Sequence, residues 1–232
     1  MSNATLAIIP ARGGSKRVPR KNLRELDGVP LIAHTIQDAT VADRIDRVIV
    51  STDDKEISHT AQEYGAEVPF LRPTELATDT ATLSETITHA LEWITEQGEN
   101  YDQICSLQVT SPLRTSDDID GTLQRLEKNE ADSCISVSRY VTPPQWAITS
   151  NEDEHLYEFF ERGLLWTDEP SRSQDIPELQ HPNGAIFSAT AEAWKNYESF
   201  YTPCTIGYEM PPERSFDIDE PWELELIRSI VE

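Results

Sequence analysis

Short apolar runs and amphipathic stretches alternate along the chain. Leu6-Ala7-Ile8-Ile9 is apolar without a break over the length of a strand, the pattern of a strand covered on both faces. After an Asp27-Gly28-Val29-Pro30 turn, residues 31–42 carry apolar side chains at helical spacing. Arg47-Val48-Ile49-Val50-Ser51-Thr52 reads as a second buried strand. Acids at Asp53-Asp54 then open a helix that runs to Tyr64 and stops at Gly65, with negative charge where the helix dipole favours it. Helices over 84–97 and from Ser116-Asp117-Asp118 to about Asn129 alternate with strands at 103–108 and 133–138. The alternation predicts an α/β fold, a mostly parallel sheet flanked by helices on both faces.

Two segments break the rhythm. Glu67-Val68-Pro69-Phe70-Leu71-Arg72-Pro73 holds too much proline for a central strand and reads as an extended segment carrying Arg72 to the ligand edge. From 139 to 182 the chain turns to proline, aromatic and charged residues without a period, among them Pro143-Pro144-Gln145-Trp146, Tyr157-Glu158-Phe159-Phe160 and Leu164-Leu165-Trp166. Long irregular insertions are uncommon unless functional, and aromatic ones suggest a subunit interface or a lid, the interface being favoured. Regular structure resumes with a turn and strand at Asn183-Gly184-Ala185-Ile186-Phe187-Ser188, a short helix around Trp194, a strand over 205–208 and a helix from Pro221. Residues 1–232 are therefore read as one domain with 139–182 as an insertion.

Composition narrows the functions open to such a fold. Acidic residues outnumber basic ones 42 to 19, a net charge of −23, and a field of that sign repels nucleic acid. The acids are dispersed and lysine is scarce, the balance expected of a high-salt cytosol in which repulsion is screened. No apolar run is long enough to span a membrane and no secretory leader is visible, so the expected location is cytoplasmic. Cys105, Cys134 and Cys204 lie far apart in strand-like segments without a C-x-x-C pair, and are expected to be buried, inert thiols.

The chemistry concentrates after the first strand. Ile9-Pro10-Ala11-Arg12-Gly13-Gly14-Ser15-Lys16-Arg17 leads through Arg20 into Lys21-Asn22, so that five cations follow one strand closely around a Gly-Gly turn. Glycines let backbone N–H groups approach an oxyanion, and Arg and Lys neutralise it. The loop fits neither the Walker pattern nor the G-x-G-x-x-G fingerprint. Its charge density suits a triphosphate whose leaving group must be held, and it should invert the acidic field locally; a solvated basic surface loop is the plain alternative. Near the other end, Asp217-Ile218-Asp219 puts two carboxylates on one face of an extended segment. Such oxygens suit Mg²⁺ bridging to substrate phosphates, although the same pattern in so acidic a chain is also ordinary surface charge.

Together these residues resemble the signature of the acylneuraminate cytidylyltransferases, the CMP-sialic acid synthetases. The loop from Ile9 to Arg17 with Lys21-Asn22 carries most of the resemblance. Val50-Ser51-Thr52-Asp53, Val68-Pro69-Phe70-Leu71-Arg72-Pro73, Leu107-Gln108 with Thr110-Ser111-Pro112-Leu113-Arg114, Asn183-Gly184-Ala185-Ile186 and Asp217-Ile218-Asp219 extend it over nearly the whole chain, the insertion being weakest. The resemblance implies a Rossmann-like nucleotidyltransferase, usually a homodimer. It would join CTP to the anomeric hydroxyl of a nine-carbon 2-keto sugar acid, giving a CMP-sugar and pyrophosphate.

Residue by residue, it implies catalytic roles for Arg12, Lys21 and Asp217, and a Mg²⁺ (or Mn²⁺) site on Asp217 and Asp219. Substrate contacts would come from Arg12, Gly14, Ser15, Lys16, Asn22, Arg72, Gln108, Thr110, Arg172 and Asn183. Asn22 and Arg72 match cytidine-contacting positions, where an amide and a guanidinium satisfy the O2 and N3 acceptors of cytosine. Gln108 matches a sugar-contacting position. Three places depart from the family pattern. Val109 replaces a frequent Pro, Arg172 precedes Ser173-Gln174-Asp175 where many members have Arg-Gln-Asp, and His181 replaces an occasional Arg. The last two fall in the expected sugar region, so legionaminate or another nonulosonate stands nearly level with N-acetylneuraminate, with pseudaminate behind. A catalytically silent nucleotide-binding regulator or assembly partner on the same fold is the alternative, against which the intact Asp217/Asp219 pair argues.

Overall fold

The computed structural model describes residues 3–160, 164–167 and 172–231; the remainder of the insertion lies outside the described residues. β1 (Thr5–Pro10) is followed by the cationic loop and a small hairpin of β2 (Glu25–Leu26) and β3 (Val29–Pro30). Next come α1 (Leu31–Val41), β4 (Arg47–Ser51), α2 (Lys55–Glu63), α3 (Leu83–Glu96), β5 (Gln103–Leu107), α4 (Ser116–Lys128) and β6 (Ser133–Arg139). Within the insertion, β7 (Ile148–Ser150) pairs with β8 (Leu156–Glu158), and the chain continues through β9 (Gln180–Thr190), α5 (Ala191–Tyr197), β10 (Thr205–Glu209) and α6 (Pro221–Val231). Six strands form one sheet in the order β10-β6-β9-β5-β1-β4. β1 lies parallel to β4 and β5, and β10 parallel to β6.

Two-sided burial explains the unbroken apolar run of β1. Ala7 and Ile9 face a core shared with Ile36 of α1, Ile57 of α2, Leu123 of α4 and Ile227 of α6, whereas Leu6 and Ile8 face one shared with Ile87 of α3 and Trp194 of α5. α2, α3 and α4 begin where side chains satisfy their free N–H groups. Asp54 accepts from the Glu56 and Ile57 amides, and Thr82/Glu85 and Thr115/Asp118 form reciprocal capping boxes on α3 and α4. The α4 cap is thus Thr115, one residue ahead of the Ser116 expected from the sequence. Among the described residues no helix is long and apolar enough to cross a membrane.

β9 differs most from the expected elements. It is eleven residues long and runs antiparallel between β5 and β6, returning from the insertion, a direction that apolar patterning cannot give. Its register against β6 shifts between Ile135 and Val137, where the Asn183-Gly184 turn bulges with Gly184 at φ 78°. The insertion likewise contains a regular element, the β7/β8 hairpin, that the lack of period concealed. Cys105 and Cys134 are buried as expected, and burial raises both thiol pKa values to about 12. Cys204 is exposed, because it sits in the turn before β10 and not in the strand itself, which corrects the expectation of three buried thiols.

Candidate active site

The ends of β1, β4 and β5 open on a cleft of about 320 Å³ that collects Arg12, Gly14, Ser15, Lys21, Asn22, Arg72, Gln108 and Thr110. A second recess of about 330 Å³ shares Arg12, Ser15 and Lys21 with it and adds Lys16, Arg17 and Asp219. Parallel strands leave their C-terminal ends free at such an edge, so residues distant in sequence converge there. The two loop glycines serve different needs. A Cβ on Gly13 would come within 2.9 Å of the Asp54 Cβ, and the Gly13 amide donates to Asp53 at 2.9 Å, so this glycine is required by packing. Gly14 has nothing within 4 Å of a Cβ position and leaves open space at the cleft.

Every cation of the loop meets a carboxylate. Arg12 Nη1 lies 3.1 Å from Asp79 and donates to the Thr78 carbonyl at 2.7 Å, and Lys16 pairs with the other Asp79 oxygen. Lys16, then Arg12, hold the Asp79 carboxyl below its ordinary pKa. Arg17 pairs with Asp219 and Glu220, Lys21 with Asp219, and Arg20 with Asp54 and Glu56. The expected local inversion of the field is therefore offset in the free protein by neighbouring acids. Asp79 was not legible as a site residue, since it follows a short 3-10 turn and belongs to no pattern.

Arg72 reaches the cleft as the extended segment predicts, hydrogen-bonded through its amide to Thr52 at 2.8 Å beside β4. Its side chain is buried; Nε donates to Ser51 Oγ at 3.0 Å, Nη2 to the Ser51 carbonyl and Nη1 to Leu76 at 3.4 Å. Burial lowers its pKa to about 10, with Asp53 opposing and Arg12 adding, so it stays cationic at neutral pH. Asn22 is also buried, its Nδ2 donating to the Arg12 carbonyl at 2.9 Å. Thus the two base-reading candidates are fixed before any ligand arrives.

The opposite wall is the segment Asp217–Asp219. Ile218 is fully buried and its amide donates to the Thr110 carbonyl at 2.8 Å, so the flanking carboxylates both turn away from the core. Lys21 Nζ donates to the Ile218 carbonyl at 2.6 Å and to Asp219 at 3.2 Å. Asp217 is accessible to solvent, yet displaced water raises its carboxyl pKa; the Thr110 hydroxyl and Lys21 oppose the rise, and Asp219 and Glu223 add to it. Only Ile218 separates the two carboxylates along the chain, so they share one neighbourhood. Among the described residues no cluster of three or more His, Cys, Asp or Glu is arranged as a self-sufficient metal cage. A carboxylate pair beside a loop of five cations nevertheless fits Mg²⁺, which takes one or two carboxylates and completes its shell with phosphate oxygens and water.

Two expected ligand contacts do not join the cleft. Asn183 is buried, and its amide is used within the protein: Oδ1 accepts from Ser136 Oγ at 2.5 Å and from the Ala185 amide at 3.2 Å, and Nδ2 donates to Ser215 Oγ at 2.9 Å. It ties β6 and β9 to the segment that carries Asp217. Arg172 is exposed on the insertion, before the 3-10 turn Ser173–Asp175, and lines neither recess.

Comparison with known proteins adds a family to this geometry. The family model described as Cytidylyltransferase matches residues 6–165. The chain is 34% identical to a pseudaminic acid cytidylyltransferase of Campylobacter jejuni, over 96% of this chain and 94% of the relative. It is 36% identical to a CMP-N,N'-diacetyllegionaminic acid synthase of Legionella pneumophila, over 98% and 96%. A solved CMP:2-keto-3-deoxy-manno-octonic acid synthetase in complex with CTP superposes with a TM-score of 0.69 at 19% identity, covering 98% of both chains, a likeness of fold.

Proposed function

The chain belongs to the cytidylyltransferase family, and on that premise we propose that it transfers CMP from CTP to the anomeric hydroxyl of a nine-carbon 2-keto sugar acid. The hydroxyl oxygen bonds to the α-phosphorus as the bond to the bridging oxygen breaks, pyrophosphate leaves with the electron pair, and the hydroxyl proton is lost. The carrying observation is the facing of the two halves, with Lys21 donating at 2.6 Å to the backbone between Asp217 and Asp219. In this reading Arg12, Lys16 and Lys21 neutralise the phosphates once Asp79 and Asp219 exchange partners. Arg72 and Asn22 orient the cytosine, while Gln108 and Thr110 flank the sugar side. Asp217 and Asp219 would hold Mg²⁺ (or Mn²⁺), which when bound supplies further positive charge to the phosphates.

Relatives named for pseudaminic and for diacetyllegionaminic acid match almost equally well, so on this reading pseudaminate stands level with legionaminate, and the Thr110-Ser111-Pro112-Leu113-Arg114 motif does not set it behind. We further read the whole chain as one domain acting in the cytoplasm, in keeping with three free cysteines. It would assemble as a homodimer through the insertion, where Val141, Ile148, Leu156, Tyr157, Phe159 and Trp166 are exposed. The test is to supply Mg²⁺, CTP and a panel of nonulosonic acids and measure pyrophosphate release. Release with one sugar acid supports the reading, and none with any member of the panel overturns it.

A further inference from the structure

Three residues before Asp217, Arg214 closes a 3-10 turn, Pro212–Arg214. Its guanidinium reaches back to Asp118, which has no exposed surface, with Nε donating to Oδ2 at 3.0 Å and Nη2 to Oδ1 at 2.8 Å. The fork is bidentate, the geometry that fixes orientation as well as distance. Asp118 is at the same time the acid of the α4 capping box. Oδ2 also accepts from the amide and hydroxyl of Thr115 at 3.0 Å each, and Tyr208 of β10 approaches Oδ1 at 3.4 Å. One buried carboxylate thereby joins the loop after β5, the edge strand β10 and the turn that launches the 215–219 segment.

We propose that the Asp118–Arg214 pair is the positioning device for the Asp217/Asp219 carboxylates, setting their separation and aim for a divalent cation. The proposal rests on the metal reading given above. The segment between Arg214 and Asp219 contains no helix or strand, and hydrogen bonds anchor it at intervals. Asn183 holds Ser215 at 2.9 Å, the Thr110 carbonyl holds the Ile218 amide at 2.8 Å, and Arg214 fixes the entrance. Of these anchors only Arg214 is a charged fork on a fully buried partner. Its loss frees the first turn of the segment while the fastening at Ile218 persists. The carboxylates then remain near the cleft with a wider spread of positions, which costs metal affinity more than nucleotide affinity. Removing residues that orient metal ligands characteristically weakens binding about 10- to 100-fold.

The experiment measures Mn²⁺ binding from the electron paramagnetic resonance signal of the free ion, with CTP present and no sugar so that no turnover is needed, and takes as protein binding only the loss of signal beyond that caused by the same CTP without protein. Arg214→Gln should raise the half-saturating Mn²⁺ concentration about tenfold. CTP affinity without metal should be unchanged and thermal unfolding should stay cooperative. Arg214→Lys, which keeps the charge and loses the fork, should recover part of the loss. Unchanged Mn²⁺ binding in folded Arg214→Gln overturns the proposal. So does a matching fall in metal-free CTP affinity, or failure of both variants to fold, since each makes the pair a stability element only. If the wild-type protein binds no Mn²⁺ with CTP, the metal reading falls and takes this proposal with it. If the wild type binds and Arg214→Gln binds equally well, only this proposal falls.

Discussion

Lys21 Nζ lies 3.2 Å from a carboxylate oxygen of Asp219, and Arg17 lies 3.2 Å from the other. Asp219 is thus neutralised by two cations of the loop, while the carboxyl of Asp217, two positions earlier, has its pKa raised by burial, with the Thr110 hydroxyl and Lys21 opposing the rise. The two carboxylates therefore start from different states in the free protein. On the proposed reading Asp217 would be available to a cation at once, and Asp219 would become available when a triphosphate draws Lys21 and Arg17 away. Nucleotide and metal should accordingly bind better together than apart, since each releases a partner that the other needs.

Asp217→Asn should cut turnover by on the order of 100-fold or more, the range for removing a group that stabilises transition-state charge. The fold should persist, because the side chain is at the surface and the adjoining Ile218 keeps its buried place. Steady-state pyrophosphate release and circular dichroism on the same preparation check both parts. Near wild-type turnover would remove Asp217 from the metal site.

Asp79→Asn should tighten CTP binding a few-fold. In the free protein the Asp79 carboxylate sits between Arg12 and Lys16, where the phosphates are expected, and its charge must be displaced by the incoming nucleotide. Calorimetric titration with CTP, in the absence of sugar and at two salt concentrations, reads the change. Tighter binding that narrows as salt rises is expected. Weaker binding would mean that Asp79 preorganises the two cations instead of competing for them.

Arg72→Ala should relax the preference for CTP over UTP. The guanidinium is held by Ser51 and the Leu76 carbonyl and borders the cleft, so on the proposed reading its remaining N–H groups would be preset for the acceptors of cytosine. Comparing kcat/KM for the two nucleotides tests this. Equal discrimination in wild type and variant would show that the base is read elsewhere.

The sequence made the first half of the site legible because a strand, a Gly-Gly turn and a run of cations are contiguous, and chemistry carried by neighbours needs no tertiary knowledge. The spacing of Asp217 and Asp219 was legible for the same reason, and so was the arrival of Arg72, since prolines force its segment to be extended. Contacts made across the fold escaped. Asp79 and Asp118 are two acids among 42, and only topology brings one to Arg12 and the other to Arg214. The internal bonds of Asn183 were not legible either, because its Asn-Gly turn matched a familiar motif, whereas the bulge in β9 turns its amide inward. The direction of β9 could not be read at all, because strands buried on both faces have the same pattern in either direction.

Exposed apolar residues on the β7/β8 hairpin support the dimer and give it a test. Ile148 and Leu156 lie on paired strands, and Phe159 follows them directly, with its amide donating to the Ala147 carbonyl at 2.8 Å. Ile148→Asp together with Phe159→Asp should convert a dimer to a monomer, read by light scattering at matched concentrations, because a charge at the centre of an apolar contact is left unpaired. A wild-type protein that is already monomeric would favour the lid.

Asp38, on α1, should make the fold less stable as the solution is neutralised. Its carboxyl pKa is raised from 3.8 to about 6, chiefly by burial; buried Arg114 opposes the rise and Asp118 adds to it. A carboxyl whose folded pKa exceeds its unfolded value favours the folded state fully below about pH 4, and loses that contribution as pH rises through about 6. Each tenfold change in proton affinity is worth about 1.4 kcal/mol, so with a discount for the partly exposed setting Asp38→Asn should gain ~2 kcal/mol at pH 7.5. The attraction of Arg114 is already contained in the net rise, so its loss does not reverse the sign. Urea unfolding of wild type and variant between pH 4 and pH 8 should show the curves converging at the acid end, parting between about pH 4 and pH 6, and keeping a steady gap above that. A constant offset across that range would make the effect one of packing, and a destabilised variant at pH 7.5 would mean that Asp38 is needed as the counter-ion of Arg114.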